Sequence, residues 1–224
     1  MNLFQSAKNL FGFGKSVDLA AQTTKKKKSL EWENRPTPPY VVDVNKWKRA
    51  ETLALNTTNP RYHELIMVLD KTMNDAFISS QIENRFNQSL SASFVLKDAS
   101  GNVDEEQTNL LKNHQLFQFL SQKGLESLLY PNSLVQLNYT DNGLEGSLVP
   151  RTNINPVSGI FYSNYYDDKG LSYREQPEYG TWWLEYKGNG LGLLNKAVPH
   201  EIMKRFGQSC WAEHTEGFSI PPLV

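Results

Sequence analysis

PRTNINPVSGIFYSNYYDDKGLSYRE, residues 150–175, decides how this chain reads. A Pro-Arg turn leads in. Asp167-Asp168-Lys169-Gly170 is a second turn, and it delivers Leu171 and Tyr173 into a further strand. No residue type or spacing in the stretch has the look of a catalyst. It reads as a meander of short strands, which is a scaffold signal rather than a chemical one.

On both sides of it the hydrophobic period is two. Upstream, Val135, Leu137 and Tyr139 alternate with Gln136 and Asn138. Asp141-Asn142-Gly143 is a hairpin turn, because Asn and Gly tolerate positive φ, and Leu144, Gly146 and Leu148 continue the alternation. Downstream, Trp182, Leu184 and Tyr186 share one face of a strand, with Trp183, Glu185 and Lys187 on the other.

Farther upstream the period becomes helical. Asn59-Pro60 is a helix start, with Tyr62, Leu65, Ile66, Leu69, Met73, Ala76 and Phe77 on one face and a continuation through Ile82, Phe86 and Leu90. Phe94-Val95-Leu96 reads as a strand and Ala99-Ser100-Gly101-Asn102 as a turn. A second helical stretch runs from about Asp104 to Leu129, interrupted near Gly124 and stopped by Pro131-Asn132. The tail, Pro199 to Phe218, returns to helical spacing through Ile202, Phe206, Cys210 and His214. The predicted fold class is α+β, with N-terminal helices, an antiparallel β meander and a C-terminal helix over residues 41–224.

Residues 1–40 read differently, as an extended N-terminal arm or linker. Leu3, Phe4, Leu10, Phe11 and Phe13 form a small apolar cluster, and Arg35-Pro36-Thr37-Pro38-Pro39 favours extended backbone. Between them lie Lys25, Lys26, Lys27 and Lys28. That run is chemically able to touch phosphate or an acidic partner surface, while a solvated basic stretch is the blander account.

The chain has 224 residues, enough for one or two domains with a sizeable core. Its net charge of -1 gives no global field toward nucleic acid, so any DNA contact must be local. Cys210 is the sole cysteine, which excludes an intrachain disulfide and a cysteine zinc site. No apolar run approaches the ~20 residues of a membrane span. The opening MNLFQSAKNLFGFGK has no long apolar core of the kind a signal peptide needs.

The chemical motifs thin out on inspection. Gly188-Asn189-Gly190-Leu191-Gly192 sits where a phosphate loop would, but Leu193 and Lys196-Ala197 break both nucleotide fingerprints. His63, His114, His200 and His214 lack metal-ligand spacing. Cys210 falls with Phe206 on the apolar side of the last helix and reads as a small buried hydrophobe. Glu175, Glu178 and Glu185, near Tyr173, Trp182, Trp183 and Tyr186, leave one enzymatic alternative. That alternative is a carbohydrate-active enzyme or sugar-binding module that uses acids and aromatic platforms. No catalytic, metal or cofactor-binding residue is assigned.

Six stretches carry a further signal by their order: Ala76 to Arg85, Leu116 to Leu120 followed by Ser133 to Tyr139, Leu148-Val149-Pro150-Arg151-Thr152-Asn153 with Gly159, Leu191 to Leu194, Lys204-Arg205-Phe206, and Trp211-Ala212-Glu213. Taken in that order they resemble the portal family of tailed phages, in the branch related to the Mu-like phage portal. Glu216 to Pro222 approximates that family's closing motif with Gly and Phe exchanged. The resemblance spans residues 50–222 and implies a wing/core-like domain from the N-terminal part of such a protein, with stem and clip missing and the chain a truncated or split form. It implies a structural, non-enzymatic role without cofactors, in a homo-oligomeric ring of about twelve copies closed by heterologous contacts. Such a ring sits at one capsid vertex of the virion, after assembly in the host cytoplasm. It serves DNA packaging, ejection and head–tail joining. The implied partners are terminase, capsid and connector proteins. Double-stranded DNA would be met through its backbone and not by sequence.

Overall fold

Three short acidic caps start three of the helices. Asp43 accepts from the Lys46 amide and opens α1 (Val44–Ala54). Asp75 accepts from the amides of Phe77 and Ile78 and opens α3 (Ala76–Leu90). Asp104 accepts from the Gln107 amide and opens α4 (Glu105–Asn113). In each case the carboxylate satisfies donors that the first turn leaves without partners. The structure is a computed structural model that describes residues 28–33, 42–98, 100–141 and 143–219. Lys25–Lys27, the apolar cluster of Leu3 to Phe13 and the proline-rich stretch of Arg35 to Pro39 lie outside the described residues.

The architecture is α+β, as the sequence predicts. Among the described residues there are six α-helices, and the other three are α2 (His63–Met73), α5 (Gln115–Leu129) and α6 (Val198–Ser219). The main sheet has the order β4–β3–β8 and is antiparallel throughout, with β3 at Asn132–Thr140, β4 at Gly143–Leu148 and β8 at Trp183–Lys187. A smaller sheet follows the order β5 (Ile154–Asn155), β6 (Ile160–Phe161), β7 (Leu171–Ser172). It is built wholly within residues 150–175. A hairpin of β1 (Leu96–Lys97) and β2 (Val103–Asp104) precedes α4.

Strand β3 is buried on both faces. Val135 and Leu137 pack with Leu116 and Leu120 of α5. Leu134 packs with Ile154, Phe161 and Tyr173 of residues 150–175, with Trp183 of β8, and with Leu30. Leu30 is only 3% exposed. Its amide donates to Oε1 of the buried Gln136 at 2.7 Å, and Gln136 Nε2 donates to Ser29 Oγ at 2.9 Å. Part of the segment predicted as arm is thus packed against the sheet. The third core gathers Leu65, Ile66, Val68 and Leu69 of α2 with Ala50 and Ala54 of α1, Leu194, Val198 and Ile202.

Several local expectations shift. The Asn59-Pro60 signal does not start α2, whose helical residues begin at His63. The loop is held out of the helix by tertiary bonds: the Arg61 amide donates to Leu53 O, and Asn155 Nδ2 donates to Pro60 O at 2.8 Å. The long second helix breaks at His114, whose ψ of 117° is extended, and not at Gly124. Gly124 stays helical and faces the Tyr186 ring, where an added Cβ would make only ordinary contact at 3.6 Å. Of the two adjacent tryptophans, Trp183, the first residue of β8, is fully buried, and Trp182 before it is half-buried. Two adjacent tryptophans require burial on both faces, and the sheet provides it. The last correction concerns α6. Its buried side is Val198, Glu201 and Ile202, while Phe206 is 71% exposed and Cys210 is exposed. The predicted burial of Cys210 is overturned because that side of the helix faces away from all three cores.

Candidate functional site

Residues 150–175 leave the sheet at one end of β4 and return to it before β8. An arginine near each end holds that excursion in place. Arg151 lies in the 3-10 turn Arg151–Asn153, directly after Pro150. Its Nη2 donates to Glu126 Oε2 of α5 at 2.5 Å and to Ser133 Oγ of β3 at 3.1 Å, and its Nε donates to Asn132 O. The guanidinium stacks 4.2 Å from the Tyr130 ring centroid. Lys123 Nζ lies 2.6 Å from the other Glu126 oxygen. Burial alone would raise the Glu126 carboxyl, but hydrogen bonds from Lys123 and Arg151 overcome that and hold it below its ordinary value.

At the other end, Arg174 forks onto Glu185 of β8, with Nε to Oε2 at 3.0 Å and Nη2 to Oε1 at 2.6 Å. The Tyr173 hydroxyl donates to Oε1 at 2.7 Å and the Tyr179 hydroxyl to Oε2 at 2.8 Å. The remaining guanidinium protons reach Val157 O and Pro156 O. Glu185's side chain is 1% exposed. Burial pushes its carboxyl up, the bonds from Arg174, Tyr173 and Tyr179 outweigh that, and the net displacement is downward. Burial, then the bond to Glu185, pushes the Tyr173 hydroxyl up. Both arginine sites are saturated, with every oxygen of both carboxylates bonded inside the protein.

The sequence model of the family described as portal protein of Mu bacteriophage matches residues 66–224. The chain belongs to that portal family. The match runs through α2, both arginine sites, the sheet and α6, more than half of the chain. No curated protein and no solved structure matches it.

For a portal family member the sites predicted from acid and glycine patterns take on structural roles. Glu185 is committed to Arg174 and two tyrosines, Glu178 Oε1 accepts from the Lys28 amide at 3.1 Å, and Glu175 is exposed. The sugar-active alternative therefore gains no support: its central acid is locked in an ion pair. The glycine loop is a close-packing device. A Cβ on Gly192 would sit 2.2 Å from Leu129 O and one on Gly188 2.2 Å from Tyr130 O, so the loop lies hard against the end of α5. His63 packs on the rings of Tyr165 and Tyr166, and burial pushes its imidazole down. Among the described residues no group of histidine, cysteine and acid side chains could hold a metal, and no helix is long and apolar enough to cross a membrane. Of the lysine run only Lys28 is described; it is exposed, and its Nζ donates to Gln176 Oε1 at 3.3 Å.

Sequence reading missed both arginine sites. The signal for the second was present. Trp183 and Glu185 share a side of β8, so burying Trp183 buries Glu185 and demands a cation. Nothing local in the sequence says that the cation is Arg174.

The outward surfaces carry the other notable chemistry. Met203, Phe206 and Trp211 of α6 are each at least 71% exposed. Met203, Phe206 and Cys210 fall on one side of the helix, since these positions lie three, four or seven residues apart, while Trp211 stands off that line, five residues beyond Phe206. Elsewhere, the end of α3 and the start of α5 flank an open groove of about 870 Å³, where Leu90, Phe94, Phe117 and Phe119 are set among a majority of serine, asparagine and glutamine side chains, with Lys112 also in the lining.

Proposed function

We propose that this chain is a structural, non-catalytic subunit of a phage portal. It assembles with further copies into a ring at one capsid vertex, through which double-stranded DNA is packaged and released. The family match across both arginine sites carries the reading. The geometry supports it in two ways. Polar side chains that could have served chemistry are consumed in holding a rigid β meander. Large apolar side chains face outward on α6, as an assembling subunit requires. Partners of the ring are terminase, capsid and connector proteins. DNA is met through backbone phosphates, so that contact weakens as salt rises. Residues 1–40 serve as an assembly arm, and Lys25–Lys28 are its anion-facing segment. The packing of Leu30 and Ser29 supports an anchoring point at which such an arm leaves the domain.

The test is particle labelling. Particles from the phage or prophage that encodes the chain, tagged on this protein and decorated with gold, carry label at a single vertex. Label spread over the whole shell, or confined to the tail tip, refutes the reading. For the arm, limited proteolysis of free subunit and assembled particle is compared: cleavage within residues 1–27 that is suppressed in the particle is the expected result, and equal cleavage in both removes the assembly role.

A further inference from the structure

The glycine-rich loop between β8 and α6 carries chemistry of its own. Its ends are fixed. The Gly188 amide donates to Pro131 O at 2.9 Å, a Cβ on Gly188 would lie 2.2 Å from Tyr130 O, and one on Gly192 would lie 2.2 Å from Leu129 O. Between those ends, Asn189 and Gly190 stand out of the packing. Both are exposed, and a Cβ on Gly190 would meet nothing within 4 Å. Asn189 O accepts from the Gly192 amide at 3.1 Å, which makes Asn189 the first residue of a four-residue turn. Such a turn is set by the dihedrals of its two central residues, so it fixes neither the ψ nor the side chain of Asn189. Among the described residues the Asn189 carboxamide has no hydrogen-bond partner, and the Gly190 amide has no acceptor. Asn195, farther along the same segment, is the opposite case. It is buried, its Oδ1 accepts from Trp47 Nε1 at 2.9 Å, and its Nδ2 donates to Glu51 Oε1 at 2.6 Å.

We propose that Asn189 is a site of spontaneous rearrangement to isoaspartate, and that conversion there loosens the seat of α6. The step needs only hydroxide and water. Hydroxide removes the Gly190 amide proton, and the nitrogen attacks Asn189 Cγ. A C–N bond forms, the Cγ–Nδ2 bond breaks and ammonia leaves, closing a five-membered succinimide. Glycine permits the approach because it has no Cβ to shield its nitrogen. Water then opens the ring at either carbonyl. Opening at Cγ gives aspartate. Opening at the backbone carbonyl carbon gives isoaspartate, in which the chain runs through Cβ and Cγ. That form lengthens the backbone by one methylene and adds one negative charge. It also turns the carbonyl that accepts from the Gly192 amide into a free carboxylate. The extra length cannot be taken up at the loop's ends, which already touch the backbone at the end of α5. It passes into the 3-10 turn Leu193–Lys196, whose Leu194 shares a core with Val198 and Ile202 of α6. None of this depends on the portal reading.

The test ages the full chain at mildly alkaline pH, beside the same chain unfolded in urea, and maps tryptic peptides by mass. Cleavage after Lys187 and Lys196 releases Gly188–Lys196, which reports Asn189 and Asn195 together. The expected result in the folded chain is conversion of Asn189 from amide to acid, with isoaspartate detected by an isoaspartyl methyltransferase. Its rate rises with hydroxide and lies within about tenfold of the unfolded rate, while Asn195 stays unconverted. A folded rate more than about tenfold below the unfolded one, a barrier raised by over about 1.4 kcal/mol, overturns the site. Conversion of Asn195 ahead of Asn189 overturns it too. The consequence for α6 is read by ageing Asn189→Ser alongside. Asn189 is exposed, so this substitution leaves the melting temperature of the fresh chain unchanged. Asn142-Gly143, the other Asn-Gly pair, is present in both chains and cancels from the comparison. The aged parent should melt below aged Asn189→Ser. Equal melting temperatures with isoaspartate present at Asn189 overturn the link to α6.

Discussion

Removing Arg174 tests whether residues 150–175 are held by the ion pair at their end. In Arg174→Ala, Glu185 keeps the hydroxyls of Tyr173 and Tyr179 but loses both guanidinium bonds, and Val157 O and Pro156 O lose theirs. Glu185's side chain is 1% exposed, so water cannot replace the cation, whereas Arg174 itself is 24% exposed. Breaking a buried pair by deleting one partner costs about 3–5 kcal/mol, and the surviving tyrosines place this case near the lower end. For a chain of this size each kcal/mol moves the midpoint by about 2–4 °C, so thermal unfolding should shift down by roughly 10 °C. Tryptophan fluorescence is a direct reporter, since the fully buried Trp183 lies two residues from Glu185 on the same strand.

The pH dependence makes the prediction sharper. Glu185's carboxyl is held below its ordinary value in the folded protein. Its contribution is therefore complete above the ordinary glutamate value and is lost as pH falls through the lower folded value. In Arg174→Ala the main opposing interaction is gone, and burial then moves the carboxyl up, so protonation relieves the variant as pH falls. The stability gap between parent and variant should be widest at neutral pH and should narrow toward about pH 4. A gap below about 1 kcal/mol at neutral pH, or one that does not change with pH, would refute the argument.

Three further changes address the other contacts. Arg151→Met should cost less than Arg174→Ala, about 2 kcal/mol by chemical denaturation, because Lys123 still pairs with Glu126 and the methionine still covers Tyr130; the reverse ranking would contradict the geometry. Gly192→Ala should lose about 1–3 kcal/mol, since its φ is +85° and its Cβ would meet Leu129 O at 2.2 Å, a backbone atom that cannot swing aside; a neutral midpoint would show the loop is looser than described. Gln136→Leu should release Ser29 and Leu30 from the sheet, at about 1–2 kcal/mol with faster trypsin cleavage after Lys28, and unchanged cleavage there would mean that the apolar seat of Leu30 suffices alone.

What the sequence made legible was whatever depends on neighbours in the chain. The hairpin at Asp141 to Gly143, the helical face of Leu65 to Leu69 and the period-two runs of β3 and β4 are local patterns, and they stand in the structure. The errors come where a distant partner decides. Asn59-Pro60 has the chemistry of a helix start, but the Arg61 amide donates to Leu53 O and Asn155 Nδ2 donates to Pro60 O, and those tertiary bonds hold the chain in a loop. Helical spacing put Phe206 and Cys210 on an apolar side of α6 correctly. Spacing alone cannot say whether that side faces its own core or another surface.

That last error has a physical meaning. A helix of a free-standing domain places its apolar stripe inward, and α6 does so only at Val198 and Ile202, in its first turns. Beyond them Met203, Phe206 and Trp211 stand outward, while Glu201 stays buried and is paired with Arg205. Three large apolar side chains are left in water without compensation within the described residues, which is the kind of surface an assembly covers. The two saturated arginine sites act from the inside. They pin both ends of residues 150–175, Arg151 onto Glu126 of α5 and Ser133 of β3, and Arg174 onto Glu185 of β8.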